Sequence, residues 1–310
     1  MLIMFKKVFI YIPLLCFAIV TQAQTKHRYK DIIYQGVSIE KDQSYNPSAS
    51  KDDEKAYLFD LYRPTGDDAK HRPLIIWMHG GGFKFGSKSA EGVELWSKTF
   101  AQRGYVCANI NYRLSKKNPL FHFDELQKSS YYAVQDAKTA IAYFTLNAKR
   151  YGIDPDKIIL AGNSAGGIIA LQAAYATNAE LADMAKITGD STAVNYPHNR
   201  AHVAAVINFW GAIYNLNWLK NVKVPIVTCL GSEDGLVSPT HKSAPLYGGE
   251  DIHAKADSLG IPNELKVFEG YSHELQKHFD PLFSGGKGTK ERWLEAGQFS
   301  ADFLYKNVIE

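Results

Sequence analysis

Short apolar runs constrain this chain more than any other feature: Ala56–Tyr62, Leu74–Met78, Val106–Ile110, Ile158–Ala161, Val203–Phe209, Ile226–Leu230 and Leu265–Phe268. Runs this short, bounded by Gly, Pro or Asp, suit strands covered on both faces. Stretches with helical spacing lie between them. Ser130–Asn147 places Ala133, Ala137, Ala140, Ile141 and Phe144 on one side, and Trp293–Leu304 does the same with Trp293, Leu294, Phe299, Phe303 and Leu304. Gly167–Ala176 and Ile252–Leu259 also read as helical, and a further strand is predicted over Ile32–Ile39 ahead of a polar loop, Lys41–Lys55. Strands alternating with helices predict an α/β fold with a mainly parallel central sheet and helices on both faces. Such sheets bind ligands at the C-terminal ends of their strands.

Those ends carry chemistry. Leu74–Met78 runs into His79-Gly80-Gly81-Gly82-Phe83, and Ile158–Ala161 into Gly162-Asn163-Ser164. Ile226–Leu230 runs into Gly231-Ser232-Glu233-Asp234, and Leu265–Phe268 into Glu269-Gly270-Tyr271-Ser272-His273. A serine hydroxyl is a weak nucleophile that needs a base within hydrogen-bond reach. Histidine serves as that base near neutral pH, and a carboxylate on its other nitrogen fixes the tautomer. A tetrahedral intermediate needs preorganised N–H donors, which glycines present without an obstructing Cβ. A lone G-x-S-x-G is also a common turn; the convergence of four strand ends points to a nucleophile.

On these residues the chain resembles the α/β-hydrolases, in the HGGG-type esterase and lipase branch related to hormone-sensitive lipase. The resemblance runs from about Ala56 to His273 and is carried most specifically by His79–Phe83 and Gly162–Gly167, with Leu61-Tyr62-Arg63-Pro64 and Asn111-Tyr112-Arg113-Leu114 in support. It implies Ser164 as nucleophile, His273 as base, Asp234 as the residue orienting it, and the N–H groups of Gly81, Gly82 and Ala165 as the oxyanion hole. It also implies no cofactor. Two features depart from the lipase-like branch. The stretch before Ala56 is too short for a helical cap, and Ser115-Lys116-Lys117 stands where Ala-Pro-Glu is usual, ahead of Phe121-His122-Phe123. The likeness is therefore nearer to small secreted bacterial carboxylesterases of acetyl-xylan-esterase-like and feruloyl-esterase-like type. That implies an open site, with Phe83, Phe85, Trp210, Tyr214 and Trp218 as candidate lining residues; ordinary core packing is the rival reading for each aromatic.

Each site residue has a competitor. Glu233 neighbours Asp234, and His278 lies five residues past His273. His79 reads as a brace for the glycine loop, and His241 and His253 as surface residues. Asn163 stands where relatives often carry an acid. His273-Glu274-Leu275-Gln276-Lys277 misses the zinc motif HExxH at its last position. Gly81–Lys88 lacks the Gly-Lys pair of a phosphate loop, and Phe85 breaks G-x-G-x-x-G. Neither a metal nor a nucleotide is expected.

Composition fits this reading. The chain has 310 residues, 45% hydrophobic and 22% charged, with a formal charge of +3. That charge, with no basic run, argues against nucleic acid, and no internal repeat or obligate protein partner is indicated. Lys6 and Lys7 precede the apolar stretch Val8–Val20, and Thr21-Gln22-Ala23 follows it. This predicts a cleaved secretory signal over residues 1–23 and a single catalytic domain over 24–310, exported to the periplasm or beyond. The apolar stretch holds about 13 residues, short of the roughly 20 that a membrane span needs. Cys16 follows Leu15 rather than a small residue, against a lipid anchor. Cys107 and Cys229 lie in strand-like runs and read as unpaired core thiols. The expected activity is hydrolysis of short acyl or aryl esters, including ester decorations of plant polysaccharide. Acylglycerol hydrolysis, a serine peptidase of the same fold and a non-catalytic binding protein are the competing classes.

Overall fold

The computed structural model describes residues 26–189, 203–242, 246–281 and 286–310. The predicted signal segment, residues 1–23, lies outside the described residues. Eight strands of the described residues form one sheet: β1 (Val37–Ser44), β2 (Leu58–Pro64), β3 (Arg72–Met78), β4 (Val106–Ile110), β5 (Ile153–Asn163), β6 (Val203–Phe209), β7 (Ile226–Gly231) and β8 (Asn263–Phe268). Their spatial order is β1-β2-β4-β3-β5-β6-β7-β8. β1 and β2 pair antiparallel, as do β2 and β4, and every pair from β4 to β8 is parallel. Among the described residues seven α-helices accompany them: α1 (Glu91–Arg103), α2 (Phe123–Leu146), α3 (Ala148–Tyr151), α4 (Ala165–Tyr175), α5 (Asn178–Ala185), α6 (Gly249–Ser258) and α7 (Lys287–Leu304).

Strand alternation splits the core into two layers. Leu74, Ile76, Met78, Ile158 and Leu160 face the layer that contains α2, α4 and α6. Ile75, Trp77, Ile159, Ala161 and Cys107 face the layer under α1 and α7. The central strands are therefore apolar at consecutive positions because both faces are covered. In the second layer Trp96 of α1 stacks on Trp77, with ring centroids 5.4 Å apart, and meets Phe209, Trp210 and Trp293. Trp96 Nε1 donates to the Trp293 carbonyl over 2.9 Å, which satisfies its buried polar atom.

The predicted strands are present, with bounds shifted by a few residues, except at the N-terminal edge. The strand expected over Ile32–Ile39 runs instead over Val37–Ser44. The N–H groups of Ile33 and Tyr34 are taken by the Gln102 carbonyl at the end of α1, which turns this segment away from the sheet. The expected loop Lys41–Lys55 therefore begins as strand, with an irregularity between Glu40 and Gln43 where Asp42 has φ 55°. It ends in a 3₁₀ turn over Glu54–Tyr57. Helices α1, α3 and α5 were not among the predicted elements. Cys107 and Cys229 are free and buried, on β4 and β7, with β3, β5 and β6 between them.

One close approach seats α4 under the sheet ends. A Cβ on Gly211 would stand 2.8 Å from Gly167 Cα and collide with Asn208 Oδ1, which accepts the Gly211 N–H over 3.1 Å. Gly211→Ala is expected to cost about 1–3 kcal/mol through overpacking. A urea titration should show a lower midpoint with an unchanged slope; a midpoint equal to the parent's would show that this contact tolerates a methyl group.

Candidate active site

The sequence Gly162-Asn163-Ser164-Ala165-Gly166 joins β5 to α4 with no intervening loop. Ser164 takes φ 53° and ψ −119° at the cap position ahead of α4, a conformation that side-chain-bearing residues adopt at a cost of order 1–3 kcal/mol. The neighbouring glycines permit it. A Cβ on Gly166 would strike the Met78 carbonyl at the end of β3, and one on Gly162 would stand 2.7 Å from the same oxygen. The Ser164 N–H donates to the Phe209 carbonyl of β6 over 2.9 Å. The serine is thus pinned between two parallel neighbours of its own strand.

β3 delivers the glycine loop beside it. Gly81 and Gly82 have φ 113° and 59°, and no hydrogen bond from either N–H is present among the described residues. Ala165 is the first residue of α4, where the N–H lacks an acceptor within the helix. The Gly80 N–H is used differently: it donates to Asn163 Oδ1 over 3.1 Å. Asn163 therefore ties the serine turn to the glycine loop, a role not apparent from its place beside the serine. His79 is buried, and its ring stacks on Tyr112 with centroids 4.4 Å apart. Its Nδ1 faces the Gly80 carbonyl at 2.6 Å and so must carry the proton. The Tyr112 hydroxyl donates to the His79 carbonyl over 2.8 Å.

β7 and β8 bring the remaining groups. His273 Nε2 lies 2.9 Å from Ser164 Oγ, and Nδ1 lies 2.7 Å from Asp234 Oδ2. Asp234 Oδ1 accepts the N–H groups of Leu236 and Val237, each over 2.9 Å. Asp234 and His273 are buried, whereas the competitors Glu233 and His278 are exposed and lie outside this chain of contacts. Hydroxyl, imidazole and carboxylate therefore form one line, and the glycine loop tied to Asn163 and the first turn of α4 flank the serine turn. The arrangement can move a proton off Ser164 and hold negative charge on an adjacent oxygen.

The aromatic candidates divide. Phe83 is fully buried in the α2 and α4 layer and Trp210 in the α1 layer; neither reaches the surface, which corrects the expectation that they line the site. Both take positive φ, 61° and 40°, and these conformations turn their side chains into the core. Phe85 is exposed on the glycine loop. Tyr214 and Trp218 line a groove of about 360 Å³ with Phe123, Met184 and Asn215. Leu120 packs on Gly82, three residues before Phe123. A second groove, of about 450 Å³, flanks the acid and the histidine and is lined by Glu233, Leu236, Ser272, Lys277, His278 and Phe279. Phe279 meets the His273 ring edge-on at 4.9 Å. Phe123 and Phe279, which line these grooves, were not among the predicted lining residues.

Among known proteins, the chain is 30% identical over 238 residues to the probable carboxylic ester hydrolase LipM of Mycobacterium tuberculosis, covering 72% of this chain and 50% of that protein. It is 32% identical over 126 residues to esterase LipC of the same organism, covering 41% of this chain and 28% of that one. The chain thus spans half or less of the length of these curated relatives. Thermogutta terrifontis esterase 2, solved after phosphorylation by paraoxon, superposes with a TM-score of 0.60 at 20% identity, covering 88% of this chain and 95% of that one. At that identity the superposition shows a shared fold. The BD-FAE family model matches residues 59–243, more than half of the chain, which is therefore a member of the BD-FAE family, among the esterase and lipase α/β-hydrolases.

Proposed function

We propose that this protein is a serine carboxylesterase that hydrolyses short acyl or aryl esters through an acyl-enzyme. The carrying observation is the line Ser164 Oγ–His273 Nε2–Asp234 Oδ2, with contacts of 2.9 and 2.7 Å. In this reading Ser164 Oγ attacks the ester carbonyl carbon while His273 Nε2 takes its proton. The carbonyl electron pair moves onto oxygen, where the N–H groups of Gly81, Gly82 and Ala165 stabilise it. Collapse breaks the bond to the alkoxy group, which leaves as the alcohol with the proton from His273. Water repeats the sequence and releases the acid. Asp234 stabilises the imidazolium throughout.

The finer reading is a protein exported by its N-terminal signal that removes acetyl or feruloyl groups from plant polysaccharide. The predicted signal over residues 1–23, the polar groove beside His273 and the aromatic groove at Tyr214 support it. The names of the relatives support ester hydrolysis more broadly.

His79 is a brace in this scheme. Burial lowers its pKa to about 4, so at neutral pH it carries no charge and keeps the glycine loop closed through Gly80 and Tyr112.

Ser164→Ala is expected to lower turnover of p-nitrophenyl acetate by about 10⁴-fold or more. The parent, assayed on acetate, butyrate, octanoate and feruloyl esters and on an amide, should favour the short acyl or aryl esters. Preference for octanoate favours acylglycerol hydrolysis, and preference for the amide a peptidase. Turnover that survives in Ser164→Ala would remove the nucleophile.

His79 also sets a pH dependence of stability. Its folded-state pKa of about 4 lies below the ordinary histidine value of 6.5, so the unfolded chain binds a proton that the folded chain refuses. Its contribution is full above about pH 6.5 and declines as pH falls towards 4, by about 3 kcal/mol in all. Urea midpoints between pH 7 and 4 should fall less steeply for His79→Gln than for the parent; equal slopes would mean that His79 is protonated within the fold.

A further inference from the structure

His273 opens a short 3₁₀ turn, His273–Leu275, that is irregular at Glu274. It lies in a turn that closes on itself, with the Ser272 N–H donating to the Gln276 carbonyl over 2.8 Å and the Leu275 N–H to the Ser272 carbonyl over 3.1 Å. The two residues after the histidine, Glu274 and Leu275, have φ 55° and 56°. Consecutive left-handed residues with side chains are unfavourable, and they persist only where neighbours over-determine them.

Those neighbours come from α7. Trp293 Nε1 donates to the Glu274 carbonyl over 2.7 Å, and Arg292 Nε donates to the Leu275 carbonyl over 2.7 Å. The left-handed pair thus offers consecutive carbonyls to consecutive residues of one helix. The Arg292 guanidinium also lies 3.9 Å from the centroid of the Tyr271 ring, two residues before His273. The turn is gripped on both sides of the histidine, at 271 and at 274–275. Both donors are themselves fixed. Arg292 donates from its guanidinium to Thr289 Oγ1 over 3.1 Å, and the Trp293 carbonyl accepts Trp96 Nε1 over 2.9 Å. An indole N–H on a buried ring and a planar guanidinium are stiff donors, suited to setting a position within a few tenths of an ångström.

We infer that Arg292 and Trp293 are positioning residues that hold His273 in register with Ser164 and Asp234. This rests on the reading of Ser164 as nucleophile. Neither residue touches the reacting atoms. Both act on the backbone that carries the imidazole, and small misplacements of a catalytic group cost rate rather than substrate binding.

The test compares the parent chain, Ser164→Ala, Trp293→Phe, Arg292→Ala and Arg292→Lys. Trp293→Phe keeps a buried ring and removes one N–H; Arg292→Lys keeps a cation and a donor. Active sites are counted with a fluorophosphonate, and kcat and KM are measured per counted site on p-nitrophenyl acetate. The expected result is kcat lower by about tenfold to a hundredfold in Trp293→Phe and Arg292→Ala, with KM changed by less than about threefold. Arg292→Lys should recover much of the Arg292→Ala loss. The downfield proton resonance of the His273 Nδ1–H, present in the parent without substrate, should weaken in Trp293→Phe. Parental kcat per counted site in both Trp293→Phe and Arg292→Ala overturns the inference. So does a loss that merely follows the fraction of folded protein, with turnover per site unchanged. If the fluorophosphonate fails to label the parent at Ser164, the nucleophile reading falls, while the resonance still reports separately whether α7 anchors the histidine.

Discussion

The carbonyl of Met78 decides how closely β3 and the β5–α4 turn can approach. It sits where any side chain on Gly166 would begin, and it crowds Gly162 as well. A bulkier residue at either position would force the turn away from β3, and the glycine loop that follows Met78 would then no longer face Ser164. The hydrogen bond from Gly80 to Asn163 depends on the same closeness. Steric exclusion between backbones thus sets the spacing between the serine turn and the glycine loop, and the Asn163 side chain ties the two together at that spacing.

The α1 side of the sheet supports the same geometry from below. Trp96 touches Trp77, which precedes the glycine loop by two residues, and Phe209, whose carbonyl holds the Ser164 N–H. It also anchors Trp293, which reaches the histidine turn. One indole therefore underlies three separate segments of the site. Interiors packed at crystal-like density transmit displacement, so a change at Trp96 reaches the segments that follow β3, β5 and β8.

Much of this was legible in the sequence because it follows from local rules. Apolar runs of strand length marked the parallel strands, and Gly, Ser, Asp and His at their ends marked the cluster that the fold assembles. What stayed hidden involves choices made in three dimensions. Phe83 and Trp210 are aromatic residues near strand ends of the candidate site, and nothing in their spacing says that they take positive φ and lie buried in the core. Arg292 and Trp293 are distant in sequence from the turn they hold, and on a helical pattern Trp293 reads as ordinary core. The first strand is misplaced because Gln102, far along the chain, takes the N–H groups of Ile33 and Tyr34. Helix α5 did carry a local signal, the Thr177 and Glu180 capping box, overshadowed by its short apolar content.

Cys107 and Cys229 carry a consequence of a different kind. Both thiols are fully buried, burial raises both pKa values well above the ordinary cysteine range, and three strands separate them. Among the described residues no disulfide forms, so the fold of this part of the chain draws nothing from a cross-link. The same burial makes the thiols chemically silent until the sheet opens. Cys107 lies on β4 and Cys229 on β7, so a thiol reagent samples the two halves of the sheet independently. Matching rates of modification at the two positions mean that the sheet opens as one unit, and diverging rates identify the half that yields first.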